Sequence, residues 1–206
     1  MYSRALLVFK SIGDLLLFRN HENKMFFLYK FVSFLKPVLN CWSYSLLDNH
    51  AHFIVRIKDI FSLQQSLSNV PDTTRTVSIN KFLADTGNEL LVDELIVRQV
   101  NRFMVSYTNS YNQFYDRAGG LFQSPFRRLV IQEEAHLQQS VIYVHANAQK
   151  HRLIPDYRNH LYSSYNEIIN GVSSIIAIDE VLTFFGGLER FIELHQEQIA
   201  YYYGLG

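Results

Sequence analysis

Apolar positions along this chain switch between two periods, and the switches divide it into strands and helices. Residues 5–18 (Ala-Leu-Leu-Val-Phe-Lys-Ser-Ile-Gly-Asp-Leu-Leu-Leu-Phe) predict a strand, or a strand pair turning at Gly13-Asp14. A helix is predicted over 20–35: Asn20 can cap it, and Met25, Leu28, Tyr29, Val32 and Leu35 recur at three and four. Pro37 ends it. Residues 41–47 and 50–58 predict two strands joined near Asp48-Asn49, a hairpin. A short helix over 59–67 and a polar loop over 68–76, with Pro71-Asp72, come next. Then comes a long helical region, 78–115, broken at Gly87-Asn88. A turn over 116–120 leads to a strand over 126–131. The helix predicted over 133–147 carries acidic residues in its first turn, as the helix dipole prefers. Residues 153–165 read as irregular, and 178–203 as two helical stretches separated by Gly186-Gly187. This order predicts an α+β sandwich built around an antiparallel sheet.

Composition narrows the class. At 206 residues, one domain or one domain with an appendage is expected. A hydrophobic share of 48%, with 16 Phe and 13 Tyr, excludes general disorder. The single cysteine, Cys41, cannot form an intrachain disulfide and suits a reducing cytoplasm. The first residues, interrupted by Lys10 and Asp14, lack the apolar run of a signal peptide, and no stretch is long enough to predict a membrane span. Lys plus Arg and Asp plus Glu both total 19, so any basic surface must be a patch balanced by acid elsewhere. Arg117, Arg127, Arg128, Lys150 and Arg152 are the candidates for that patch.

The candidate chemistry begins at His50-Ala51-His52. Residues two apart on a strand share a face, so both imidazoles project to one side. Two neutral imidazoles side by side are half of a divalent metal site. With eight histidines in the chain, one such pair can also arise by chance, so partners elsewhere matter. The helix over 133–147 supplies two candidates, Tyr143 and Asn147, four apart on one face. The Asn147 amide oxygen can complete a metal shell, and the Tyr143 phenol can act as a covalent nucleophile. His145 lies about 200° round the helix from Tyr143 and reads as structural.

Several blocks then resemble one family. Leu46-Leu-Asp-Asn-His-Ala-His-Phe-Ile-Val55 resembles the histidine motif of the HUH single-strand DNA transposases. Gly120-Leu-Phe-Gln-Ser-Pro-Phe-Arg-Arg128 and Val141-Ile-Tyr-Val-His-Ala-Asn-Ala-Gln-Lys-His151 resemble later blocks of the REP-associated tyrosine transposase branch. Tyr162-Ser-Ser-Tyr165 and Phe185-Gly-Gly-Leu-Glu-Arg-Phe-Ile192 also resemble segments of bacterial members, so the likeness spans most of 15–195. It implies an HUH-like, ferredoxin- or RRM-like antiparallel sheet, with the histidines on a central strand and the tyrosine on an adjacent helix. It further implies a catalytic domain over 1–155 and a helical extension over 156–206. By position, His50, His52 and Asn147 would be ligands of Mg²⁺ or Mn²⁺, and Tyr143 the nucleophile. The implied reaction cuts single-stranded DNA, often presented as a hairpin, leaving a 5′-phosphotyrosine link and a free 3′-OH. Arg117, Arg127, Arg128 and Lys150 would contact DNA, and Phe122 or Tyr115 would stack on bases.

Three positions depart from the family pattern: Ala51 for a bulky apolar residue, and Asp48 and Ala148 where proline is common. None removes a catalytic group. A DNA-hairpin-binding protein that has lost catalysis, and a metal-dependent hydrolase using water, remain as rival readings. A homodimer with the active site shared between chains is also compatible with the sequence.

Overall fold

The protein is described by a computed structural model over residues 3–86 and 88–203. Four strands, β1 (Arg4–Lys10), β2 (Leu39–Leu47), β3 (His50–Ile57) and β4 (Arg127–Ile131), form one sheet in the order β2-β3-β1-β4. All three neighbouring pairs are antiparallel. Helix α1 (His21–Leu35) carries the chain from β1 to β2. Between β3 and β4 come α2 (Ile60–Ser68), α3 (Val77–Ala84) and α4 (Glu89–Phe114). That is the ferredoxin-like arrangement expected of an α+β sandwich. After β4 follow α5 (Glu134–Lys150), α6 (Tyr165–Ile169), α7 (Ile178–Phe185) and α8 (Leu188–Tyr203).

The two faces of the sheet are chemically different, and strand alternation makes them so. Phe9 and Phe53 point to one face, where they meet Phe27 and Phe31 of α1 and Phe103 of α4. Phe31 and Phe53 stack at 4.2 Å with 12° between planes, a geometry that adds about 0.5–1.5 kcal/mol beyond area burial. Small Ala51 stands opposite large Phe9 on this face. The other face carries Lys10, Val8 and Leu6 of β1 opposite His50, His52 and Ile54 of β3. Helix α5 packs against β2, β3 and β4, and α8 packs on α5.

Two sequence expectations change. Residues after Lys10 do not continue as a strand pair. Leu17 and Phe18 are buried, and the carbonyls of Leu16 and Leu17 accept hydrogen bonds from the Tyr111 and Tyr107 hydroxyls of α4. Tyrosines far along the chain thus satisfy carbonyls that a second strand would have used. The core face of α1 is also rotated: Phe27, Leu28, Phe31 and Leu35 are buried, whereas Met25 and Tyr29 are 47% and 65% exposed. Two phenylalanines outcompete the three-and-four pattern because they fill more of the aromatic core.

Elsewhere the signals hold. Asn20 caps α1, accepting from the Asn23 N–H, and Asp48-Asn49 is a two-residue turn. Asp48 is fixed there by an ion pair with Lys24 at 2.8 Å. Of the predicted break at Gly87-Asn88, Gly87 lies outside the described residues, while Asn88 caps α4 by accepting from Leu90. Gly186 and Gly187, with φ of 83° and 111°, make the left-handed turn between α7 and α8.

The segment after α5 seals the outer edge of β2. Leu46 N–H donates to Tyr162 O, Ser164 N–H to Tyr44 O, and Ala177 N–H to Cys41 O. Glu180 on α7 accepts from Arg56 through two nitrogens at 2.6 and 3.0 Å, and from the Trp42 indole at 2.9 Å. An edge strand whose polar groups are taken in this way is protected from pairing with another chain. Among the described residues, no helix is long and apolar enough to cross a membrane.

Candidate functional site

The β2–β3 turn places the first two site residues. His50 opens β3 and His52 follows on the same face, their ring centroids 4.9 Å apart. The His50 Nδ1–H donates to Asn49 Oδ1 at 2.6 Å, which leaves Nε2 as its lone-pair nitrogen. His52 is 7% exposed. Burial, helped by His50, His151 and Lys150, pushes its pKa down to about 3. Burial also lowers the pKa of His50, and His151 and Lys10 add to this. The Asn147 amide works against that lowering, standing close enough to favour the charged imidazole without completing a hydrogen bond. Both imidazoles are therefore held neutral, the form that binds metals.

Helix α5 brings the other half. Tyr143 stands 5.9 Å from His52 between ring centroids, with the rings perpendicular. Asn147, one turn further on, is fully buried. Neither its amide oxygen nor its amide nitrogen has a hydrogen-bond partner, and the same holds for His52 Nδ1 and for Ser45 Oγ, opposite His52 on β2. Buried polar atoms without partners are costly and rare, so their concentration at one place points to something those atoms bind. Among the described residues no group of three His, Cys, Asp or Glu side chains could hold a metal. The available donor set is two imidazoles and one amide, which suits a divalent cation that keeps waters or phosphate oxygens on its remaining positions.

The surrounding charge is positive. Lys10 pairs with His50 across β1–β3 and shares its face, the His151 ring lies 6.0 Å from His50, and Lys150 Nζ lies 4.7 Å from the Tyr143 ring centroid. Among the described residues, no carboxylate stands with the groups that lower His50 and His52. Lys10 and His151 were not among the sequence candidates. His151 was within reach, since it continues the four-residue spacing of Tyr143 and Asn147; Lys10 needed the strand register.

The remaining candidates scatter. Arg127 pairs with Val8, the residue that also pairs with His52, and is exposed on the histidine face. Arg128 pairs with Leu7, points to the opposite face and reaches Asp93 of α4 at 3.6 Å. Arg117 is held between the last turn of α4 and its own loop, donating to Asn112 Oδ1 and Gly120 O. Phe122, only 7% exposed, is packed against Phe9, Phe27 and Tyr107, so its ring belongs to the core instead of an open stacking surface. The Tyr115 hydroxyl donates to Asn23 Oδ1, and its ring lies under Arg19.

His145, between Tyr143 and Asn147 on the chain, faces away from both into a buried relay. His195 Nδ1–H donates to Phe191 O at 2.7 Å, so its Nε2 accepts from His145 Nδ1–H at 2.8 Å. His145 Nε2 must then accept from the Ser164 hydroxyl at 2.8 Å, and Ser164 Oγ accepts from Tyr44 N–H at 2.9 Å. Burial lowers the pKa of both histidines, that of His195 to about 3. The relay ties β2, α5 and α8 together directly behind the site.

Comparison with known proteins extends the fold and little else. No protein-family model and no curated protein matches the sequence. The chain is similar to a solved structure of a REP-associated tyrosine transposase bound to a REP hairpin, with a TM-score of 0.51. Identity is 11%, over 84% of this chain and 83% of the other. The chain therefore shares its α+β, four-stranded antiparallel fold with that transposase.

Proposed function

We propose that this protein is a metal-dependent single-stranded DNA strand transferase that forms a 5′-phosphotyrosine intermediate on Tyr143. One observation carries this reading. A histidine pair and a tyrosine about ninety residues apart converge at 5.9 Å, beside a fully buried amide with no partner. The hairpin-bound transposase that shares the fold supports DNA as the partner.

The residues divide the work. A Mg²⁺ or Mn²⁺ ion on His50, His52 and Asn147 would draw negative charge from a non-bridging oxygen of a bound phosphodiester. Tyr143 Oη attacks the phosphorus in line. The Oη–P bond forms as the P–O3′ bond breaks; the phenolic proton passes to water and the departing 3′ oxygen takes one up. One phosphoester replaces another, so the strand can be rejoined without a nucleotide triphosphate. Lys150 keeps positive charge beside the phenol where negative charge develops. Lys10 and Arg127, on the same face, contact phosphates of the strand.

The test is incubation of the full chain with a labelled pool of DNA hairpins carrying single-stranded flanks and Mn²⁺, read on a denaturing gel. A covalent protein–DNA band is expected, and Tyr143→Phe should abolish it while hairpin retention on a native gel persists. Retention without any covalent band in the wild type would make this a binding protein. Turnover without an adduct would make it a hydrolase using water.

A further inference from the structure

On the far side of Tyr143 from the histidines, a cleft of about 290 Å³ opens between β1, β4, α5 and α8. Leu6, Leu129 and Ile142 line it with His136 and Ser140, and Gln139 and Gln198 carry amides at it. Tyr143 is a wall of this cleft as well as the neighbour of His52. Leu6 pairs with Leu129 and with Ile54, so the cleft lies on the histidine face, displaced toward the β4 edge. Along α5, Gln139, Tyr143 and Asn147 are successive steps of four residues, about 6 Å each. One helix face thus presents an amide at the cleft, the phenol, and then the buried amide beside the histidines.

The chemistry of the two sides differs. The histidine side gathers Lys10, Lys150 and His151. The cleft is lined by no Lys, Arg, Asp or Glu among the described residues. An anionic phosphate would find no ammonium or guanidinium there, only the His136 imidazole, whereas a flat, neutral heteroaromatic ring would find aliphatic side chains for its face and amides for its edge. Glutamine amides offer a donor and an acceptor side by side, the pattern that pairs with a nucleobase edge. Two other clefts lack this placement: one, lined by Phe26, Tyr107 and Phe114, lies between α1 and α4, and one lies at Arg56 and Glu180, which are already paired.

Resting on the strand-transferase reading, we propose that this cleft is a nucleobase subsite. It takes the unpaired base next to the phosphate that Tyr143 attacks, and it reads that base through Gln139 and Gln198. Base choice at the cut is then made by the protein in addition to whatever the hairpin contributes.

The experiment is a binding selection on the full-length protein. The probe is a pool of DNA hairpins with randomised stems and a randomised single-stranded flank, with Ca²⁺ in place of Mn²⁺, sequenced after retention. The wild type should enrich one base at one flank position by about tenfold, which is 1.4 kcal/mol and within the range of a single edge contact. That bias should collapse in Gln198→Ala and in the cleft-filling Leu129→Trp. Should Leu129→Trp fail to fold, as judged by thermal melting, the half-exposed Gln198→Ala carries the test. Hairpin retention with no flank bias in the wild type, or with an unaltered bias in Gln198→Ala, overturns the subsite and leaves the strand-transferase reading standing. No retained DNA at all overturns both.

Discussion

At the scale of a single side chain, Asn147 carries the cost of the proposed site. Its amide is fully buried and makes no hydrogen bond, a penalty of about 1–3 kcal/mol for a polar group. Asn147→Leu keeps the shape and removes the penalty. The variant is expected to melt higher, by about 2–4 °C per kcal/mol recovered in a chain of this size, and to bind Mn²⁺ at least about tenfold more weakly by calorimetry. A lower melting point with unchanged Mn²⁺ affinity would remove Asn147 from the metal shell. The grouping of His50 with His52 and of Tyr143 with Asn147 on shared faces was legible in the sequence because these relations are local: two apart on a strand, four apart on a helix. Phe122 was not, because its burial is set by α1 and α4, which the residues around it do not encode. Lys10 was hidden for a similar reason, since only the β1–β3 register brings it opposite His50.

At the scale of elements, the question is what holds α5 in register with β3, because a rotation of the helix would take Tyr143 away from His52. The relay from Tyr44 through Ser164, His145 and His195 to Phe191 supplies the answer, and its hydrogen-bond directions are fixed from the carbonyl end. Both histidines must be neutral with the proton on Nδ1. Nitrogen-15 imidazole spectra of the folded protein at neutral pH should show that tautomer for His145 and His195, and Nε2-protonated signals from either would break the relay as drawn. His195→Phe leaves His145 Nδ1–H without a partner, and a loss of about 1–3 kcal/mol in urea unfolding is expected. The sequence indicated that His145 is structural, but its partners lie 19 and 50 residues away and follow from packing alone. The same limit explains α1. Spacing predicted a helix correctly, yet which side faces inward was decided by Phe27 and Phe31 meeting Phe53.

Over the whole molecule, equal numbers of positive and negative side chains conceal a polar distribution of function. Burial depresses His195 to about 3 and His160 to about 4, whereas an unfolded histidine titrates near 6.5. The unfolded chain thus binds more protons below that value, so stability is complete above about pH 6.5 and falls as pH drops toward 4. The melting temperature should decline between pH 6.5 and 5, above the range where most carboxylates titrate; a flat profile there would mean these histidines are not held neutral. The proposed binding of DNA would rest on the other half of the distribution. Lys10, Arg127 and Lys150 share the histidine face, while Arg128 is directed to Asp93 and Arg117 to the last turn of α4 and its own loop. Three phosphate contacts on a single strand predict a slope of about −2 in a plot of log binding constant against log salt, at about −0.7 per contact. Lys10→Ala should weaken binding across all sequences alike and flatten that slope by about 0.7. A wild-type slope near zero, or a Lys10→Ala slope equal to the wild type, would place the strand on another surface, because a neutral chain has no general attraction for DNA to mask the loss of one local cation.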